Sequence, residues 1–133
     1  MSDLEKRISA YGHAETVRRL EQEIGSRGAT IYGRVDHAAN AVSAGMRMPP
    51  TVVLIFGNPR GGTLIMQSAP AAAYDLPLRV LVREAGPEVL VEYRRPELLA
   101  AAFGLTAEAV APLHVIDEIV LAATAPPSPE GRD

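Results

Sequence analysis

Val52-Val53-Leu54-Ile55-Phe56-Gly57-Asn58-Pro59-Arg60-Gly61-Gly62-Thr63 joins an unbroken apolar run to a turn that is rich in glycine and carries one arginine. The run has no polar side. It therefore predicts a strand inside a sheet, covered on both faces, or covered by helices on one face and by a second subunit on the other. The turn after it reads in two ways. With positive φ, Gly61 and Gly62 aim consecutive amides into one hollow, a helix beginning near Thr63 adds its free N–H groups, and Arg60 offers a bidentate contact to a carboxylate or phosphate. Alternatively, Asn58 bonds its own backbone and Pro59 fixes φ, which makes an ordinary tight turn. The Gly-Lys-Ser/Thr ending of a phosphate-binding loop is missing, as is the dinucleotide fingerprint.

Outward from this stretch, the periodicity changes repeatedly. Ile8 to Tyr11 is expected to form a short first strand ended by Gly12. Val17, Leu20 and Ile24 then recur at helical spacing, with Arg18, Arg19, Glu21 and Gln22 facing away. Ile31 to Asp36 alternates like a half-buried strand, and His37 to Gly45 is small and alanine-rich, with one or two helical turns expected. Thr63 is expected to cap a short helix that ends before Pro70. Leu78 to Arg83 and Val89 to Arg94 flank a Gly-Pro reversal and predict a hairpin, with Leu78, Val80 and Val82 sharing a face with Val89, Val91 and Tyr93. Pro96 opens a helix that stops at Gly104. The last helix presents Leu113, Ile116, Val120 and Ala123, and starts either at Pro112 or at Thr106, with Pro112 as a kink.

With 133 residues and no cysteine, the chain reads as a single compact domain over residues 1–124, without disulfides or thiolate-held clusters, and a disordered proline-rich tail over residues 125–133. The net charge is -3 and no dense basic stripe is present, so nucleic acid is not an expected partner. The N-terminus leads into no apolar segment and no run reaches membrane-spanning length, so no membrane association and a cytoplasmic location are expected. No cofactor is expected, and no metal: His13, His37 and His114 lack a recurring ligand spacing.

The candidate catalytic residues are His37 and Asp75. His37 follows Asp36 at a strand end, but neighbours on a strand point to opposite faces, so its orienting carboxylate must come from elsewhere. Asp75 lies in an apolar stretch where a carboxylate is costly unless paired. The structural alternative has Asp36 or Asp75 capping a turn or helix. His114 has carboxylates at helical spacing in Asp117 and Glu118. Tyr74, Met66, Met46 and Met48 are read either as the lining of a small pocket or as core and interface side chains. Arg79, Arg83, Glu92 and Arg94 form the polar side of the hairpin, read as a solvated sheet face or as a patch for an acidic ligand.

Arg34-Val35-Asp36-His37-Ala38-Ala39, Leu54 to Thr63, Met66-Gln67 and Asp75 to Val82, taken in that order, resemble the bacterial and archaeal domain-of-unknown-function family numbered 302. The resemblance covers roughly Ile8 to Ala123. It departs at Arg83, at Tyr93-Arg94-Arg95-Pro96 and at Phe103. It implies an α+β fold, an antiparallel sheet with helices packed on one face in a TATA-binding-protein-like arrangement, and a homodimer. It implies no established activity. The expectation is a small homodimeric protein binding a polar or anionic ligand through Asp36, His37, Asn58, Arg60, Gly61, Gly62 and Thr63. The alternatives are an enzyme with His37 as general acid or base, and a structural or protein-interaction module without a ligand.

Overall fold

The computed structural model describes residues 3–128. Five antiparallel strands form one sheet in the order β1-β5-β4-β3-β2: β1 (Leu4–Ile8), β2 (Thr30–Asp36), β3 (Thr51–Gly57), β4 (Leu78–Ala85) and β5 (Glu88–Arg94). The helices are α1 (His13–Ser26), α2 (His37–Ser43), α3 (Pro59–Ser68), α4 (Pro96–Phe103), α5 (Ala107–Val110) and α6 (Val115–Thr124). Short 3-10 turns span Pro70–Asp75 and Ala111–His114.

The apolar run of β3 is split by its pleat. Val52, Leu54 and Phe56 are buried, whereas Val53, Ile55 and Gly57 on the other face are half-buried. Pairing carries the buried row sideways: Val52 opposes Val82, Leu54 opposes Val80, Phe56 opposes Leu78, and Val82 opposes Val91. Val17, Leu20 and Ile24 of α1 and Ile116, Ile119, Val120 and Ala123 of α6 close over these residues as one core. The result is an α+β fold with both helices packed on one sheet face. Each fully buried aliphatic or aromatic side chain there stabilises the fold by roughly 1.5–3 kcal/mol relative to exposure. A smaller core of Ile65, Ala72, Leu99, Ala100, Val110 and Leu113 joins α3, α4, α5 and the 3-10 turns, and Leu78 packs against both cores.

Several expectations are corrected. The first strand is Leu4–Ile8 rather than Ile8 to Tyr11, because β1 pairs along β5 from Leu4↔Arg94 to Ile8↔Leu90. Thr63 does not cap α3. Asn58 does: its Oδ1 accepts the Arg60 amide at 2.9 Å, and Pro59 occupies the first helical position, where a missing N–H costs nothing. Thr106 and Pro112 divide the last helical region between them. Thr106 caps α5 through the Ala109 amide at 3.1 Å, Pro112 sits in the 3-10 turn, and Leu113 belongs to the smaller core instead of the α6 stripe. β2 does not alternate throughout, since its register with β3 shifts between Ile31 and Gly33. The hairpin turns at Gly86-Pro87, with Gly86 at φ 62, a value that suits glycine. The far part of the expected tail, beyond Ser128, lies outside the described residues.

One-sided burial of β3 sets unequal costs for neighbouring residues. Leu54→Ala is expected to destabilise the protein by about 3 kcal/mol, in the range for a buried leucine. Ile55→Ala, one residue along and half-buried on the helix-free face, is expected to cost less than half as much. Urea unfolding midpoints of the two variants check this, and equal costs would contradict a single buried face.

Candidate functional site

β3 ends by delivering the chain into the first turn of α3, and the space beside that turn is a cavity of about 630 Å³. Its walls are Phe56 and Gly57, the α3 turn from Asn58 to Leu64, Met66, the segment Leu76 to Leu78, Pro112, Leu113 and Val115, with Arg27, Ala29 and Tyr32 completing the rim. Most of the lining is apolar. An alanine at Gly57 would make only ordinary contact with the Pro77 side chain at 3.5 Å and the Tyr32 ring at 3.9 Å, so the wall does not depend on this glycine.

Of the residues expected at a ligand site, Asn58, Arg60, Gly61, Gly62 and Thr63 all line this cavity, and Asp36, His37 and Asp75 do not. The reason is the register. Asp36, just before His37, pairs with Val52 at one end of β3, whereas Leu78, shortly after Asp75, pairs with Phe56 at the other. At the rise of a strand those ends are about 13 Å apart. Asp36 is occupied locally, capping α2 by accepting the Ala39 amide at 2.9 Å. Asp75 lines a separate cleft with Arg79 and Glu92. His37 and Asp75 are therefore not brought together as a base and its orienter. The methionine and tyrosine set is dispersed too: Met66 lines the cavity, Met48 lies in a shallow groove beside α2, and Tyr74 and Met46 are exposed.

The expected amide hollow is also corrected. Gly61 and Gly62 are helical, and neither has positive φ. The Arg60 amide is held by Asn58 Oδ1 and the Gly62 amide donates to the Asn58 carbonyl at 2.9 Å, so of these neighbours only the Gly61 N–H has no hydrogen-bond partner among the described residues. The helix starts early because Asn58-Pro59 already supplies a cap and a fixed φ. Neither glycine is required by conformation. An alanine at Gly61 would make ordinary contact with Pro112 at 3.6 Å, and one at Gly62 would enter open space.

The two rim arginines differ in charge environment. Arg27 is paired with Glu23 and approaches Glu118 at 4.0 Å. Arg60 has no hydrogen-bonding or ion-pair partner for its guanidinium among the described residues, and the first turn of α3 contains no acidic residue. A cation in that position is opposed by the positive end of the helix dipole. An anion placed between Arg60 and the Gly61 amide relieves both.

A titratable network that residue reading only half predicted lies where β5 meets the first turn of α6. The Tyr93 hydroxyl donates to Asp117 Oδ1, and His114 Nδ1 lies 2.8 Å from Asp117 Oδ2. The helical spacing pointed to the His114–Asp117 contact. Tyr93 was missed, although an inward-facing tyrosine signals a buried hydroxyl in need of a partner. Burial, then the bond to Asp117, pushes the Tyr93 phenol above its usual range. Burial raises Asp117, but the bonds from Tyr93 and His114 outweigh it and hold the carboxyl below the ordinary value.

A sequence model described as "Domain of unknown function DUF302" matches residues 5–123. The chain belongs to this family. Two relatives named Fluoride-specific ion channel FluC 1, from Brucella suis biovar 1 (strain 1330) and Brucella abortus biovar 1 (strain 9-941), are each 44% identical over 78 residues. That stretch is 59% of this chain but only 31% and 29% of theirs, so the match covers less than a third of their length. An uncharacterized conserved protein DUF302 from Bacillus stearothermophilus, solved by crystallography, shares the fold with a TM-score of 0.78 over 93% of this chain and 97% of its own, at 17% identity. Among the described residues of this DUF302 domain, no helix is long and apolar enough to cross a membrane, and no group of three or more His, Cys, Asp or Glu could hold a metal ion.

The Tyr93–Asp117 bond sets a pH dependence. Because the folded Asp117 carboxyl titrates below its unfolded value, its contribution is present above the normal carboxylate range near pH 4 and is lost as the pH falls through the folded value. Tyr93→Phe should cost about 1 kcal/mol at pH 7, a modest figure because Asp117 is partly exposed. The gap to the wild type should narrow towards pH 2. Above about pH 10, the wild type should lose the stability tied to a neutral Tyr93 and the variant should not. Urea midpoints across the pH range test all three.

Proposed function

We propose that the chain is a ligand-binding domain whose cavity beside α3 takes a small molecule with an apolar body and one anionic group. The observation that carries this reading is Arg60: an unpaired guanidinium at an apolar cavity, on a helix turn without a carboxylate. Gly61 and Gly62 support it. Alanine fits both positions and propagates a helix better by about 1 kcal/mol, so the glycines weaken α3 while leaving space in the cavity wall. The curated relatives are named as fluoride-specific ion channels. A match to under a third of their length supports an accessory domain beside a separate activity, and fluoride is not carried over to this cavity. The reading retains the cytoplasmic location and the TATA-binding-protein-like arrangement implied by the resemblance, and takes no nucleic-acid partner from that arrangement because the chain is acidic.

Octanoate titrated calorimetrically against the wild type should bind saturably, and octanol should bind more weakly. Arg60→Ala should lower octanoate affinity at least tenfold, about 1.4 kcal/mol, and leave octanol unchanged. Gly62→Ala should raise the unfolding midpoint and weaken octanoate. Equal octanoate affinities for the wild type and Arg60→Ala would remove the arginine from the site.

A homodimer belongs to the same proposal. Val42, Met46 and Met48, on α2 and the segment after it, are 63%, 66% and 43% exposed, an apolar group that a second copy of the chain would cover. Light scattering over a dilution series should give twice the 14.2 kDa chain mass. Met46→Glu should shift that mass towards the monomer, and a monomer at every wild-type concentration would overturn the dimer.

A further inference from the structure

The pairing of β4 with β5 runs from Ala85↔Glu88 to Leu81↔Glu92, although β4 begins at Leu78 and β5 continues to Arg94. A cleft of about 240 Å³ opens at this end. Arg79, Arg94 and Arg95 all line it. Arg79 stands two residues before Leu81 and Arg94 two residues after Glu92, beyond the last paired residues, so strand alternation puts both on the face of Leu81 and Glu92 where the two strands part and the cleft opens. Like charges lining one cleft repel, and the chain as a whole is acidic, with a net charge of -3.

The carboxylates nearby do not neutralise them. Glu92, buried at 5% exposure, is gripped by Arg83: Nε donates to Oε1 at 2.6 Å and a terminal nitrogen donates to Oε2 at 3.4 Å. Both its oxygens are taken. Asp75 lines the cleft but makes no ion pair with any of the three arginines. Arg95 is 4.0 Å from Glu5 in an exposed pair, which contributes little. Arg79 and Arg94 have no ion-pair partner among the described residues. Arg95 is also the N-cap position of α4, where it makes no capping bond, and Pro96 lines the same cleft, so the positive end of a helix borders it as well.

We propose that this cleft is a second binding site, separate from the cavity beside α3, for a small molecule bearing a dianionic oxyanion group held between Arg79 and Arg94. Paired guanidinium forks match the oxygens of a phosphate monoester or of a compact dicarboxylate, and a cleft of this size admits such a head group with little else. The site does not depend on Arg60 or on a ligand in the other cavity.

Inorganic phosphate, pyrophosphate and succinate, each titrated at constant ionic strength into isotopically labelled full-length protein, serve as probes. At least one should produce saturable amide shifts confined to the Arg79 and Arg94 to Glu97 segments, and the probe that binds tightest distinguishes a phosphate from a dicarboxylate ligand. The double variant Arg79→Ala/Arg94→Ala should bind that probe at least tenfold more weakly, Arg79→Lys/Arg94→Lys should fall between, and Arg60→Ala should bind it like the wild type. The lysine variant preserves charge, so it keeps the comparison valid if the alanine variant folds poorly. Absence of saturable binding by all three probes, or unchanged affinity in both double variants, would overturn the proposal.

Discussion

The long helices cover one face of the sheet, and although β5 also buries Leu90 and Glu92 on the other, the rest of the structure depends on that asymmetry. Val52, Leu54 and Phe56 anchor it, because pairing extends their row through Val80, Val82 and Val91 into a continuous apolar floor. α1 and α6 bring the complementary stripes. Slipping β3 by one residue would turn Val53 and Ile55 under the helices and move the floor to the open face. The register therefore fixes the core and, with it, which arginines stand on the uncovered side.

The functional geometry follows from where β3 ends. Asn58 and Pro59 convert the strand into a helix without an intervening loop, so Arg60 emerges in the first turn of α3 rather than in a flexible reversal. Rigid placement lowers the entropic cost of using that side chain. The same rigidity spends most of the local amides on the helix itself. Under the proposed ligand-binding role, recognition at this cavity would rest on one guanidinium and an apolar wall, a different chemistry from a nest of backbone donors.

Charge is distributed as unevenly as burial. Arg27, Arg83 and Arg18 each have a carboxylate partner, and Glu92 raises the Arg83 proton affinity further through a bidentate contact. Arg60, Arg79 and Arg94 have none among the described residues. In a chain with an excess of acidic groups, unpaired arginines gathered at concave surfaces differ from a solvated charge face, where pairing and exposure are mixed.

Local pattern was enough to read α1 from Val17, Leu20 and Ile24, the hairpin from its Gly-Pro reversal, and α4 from Pro96 and Gly104, because periodicity and backbone restriction act over a few residues. The loop residues Asn58 to Thr63 were likewise recognisable as a candidate site from composition alone. The start of α3 was misplaced because Asn58-Pro59 and Thr63 are competing caps, and only the completed helix selects between them. What tertiary structure alone decided is proximity. His37 and Asp75 lie near opposite ends of β3, Tyr93 meets Asp117 across the layers, and Arg79 and Arg94 line one cleft where β4 and β5 part. Each of these relations depends on register and packing between segments distant in the chain, and single-residue chemistry contains no information about either.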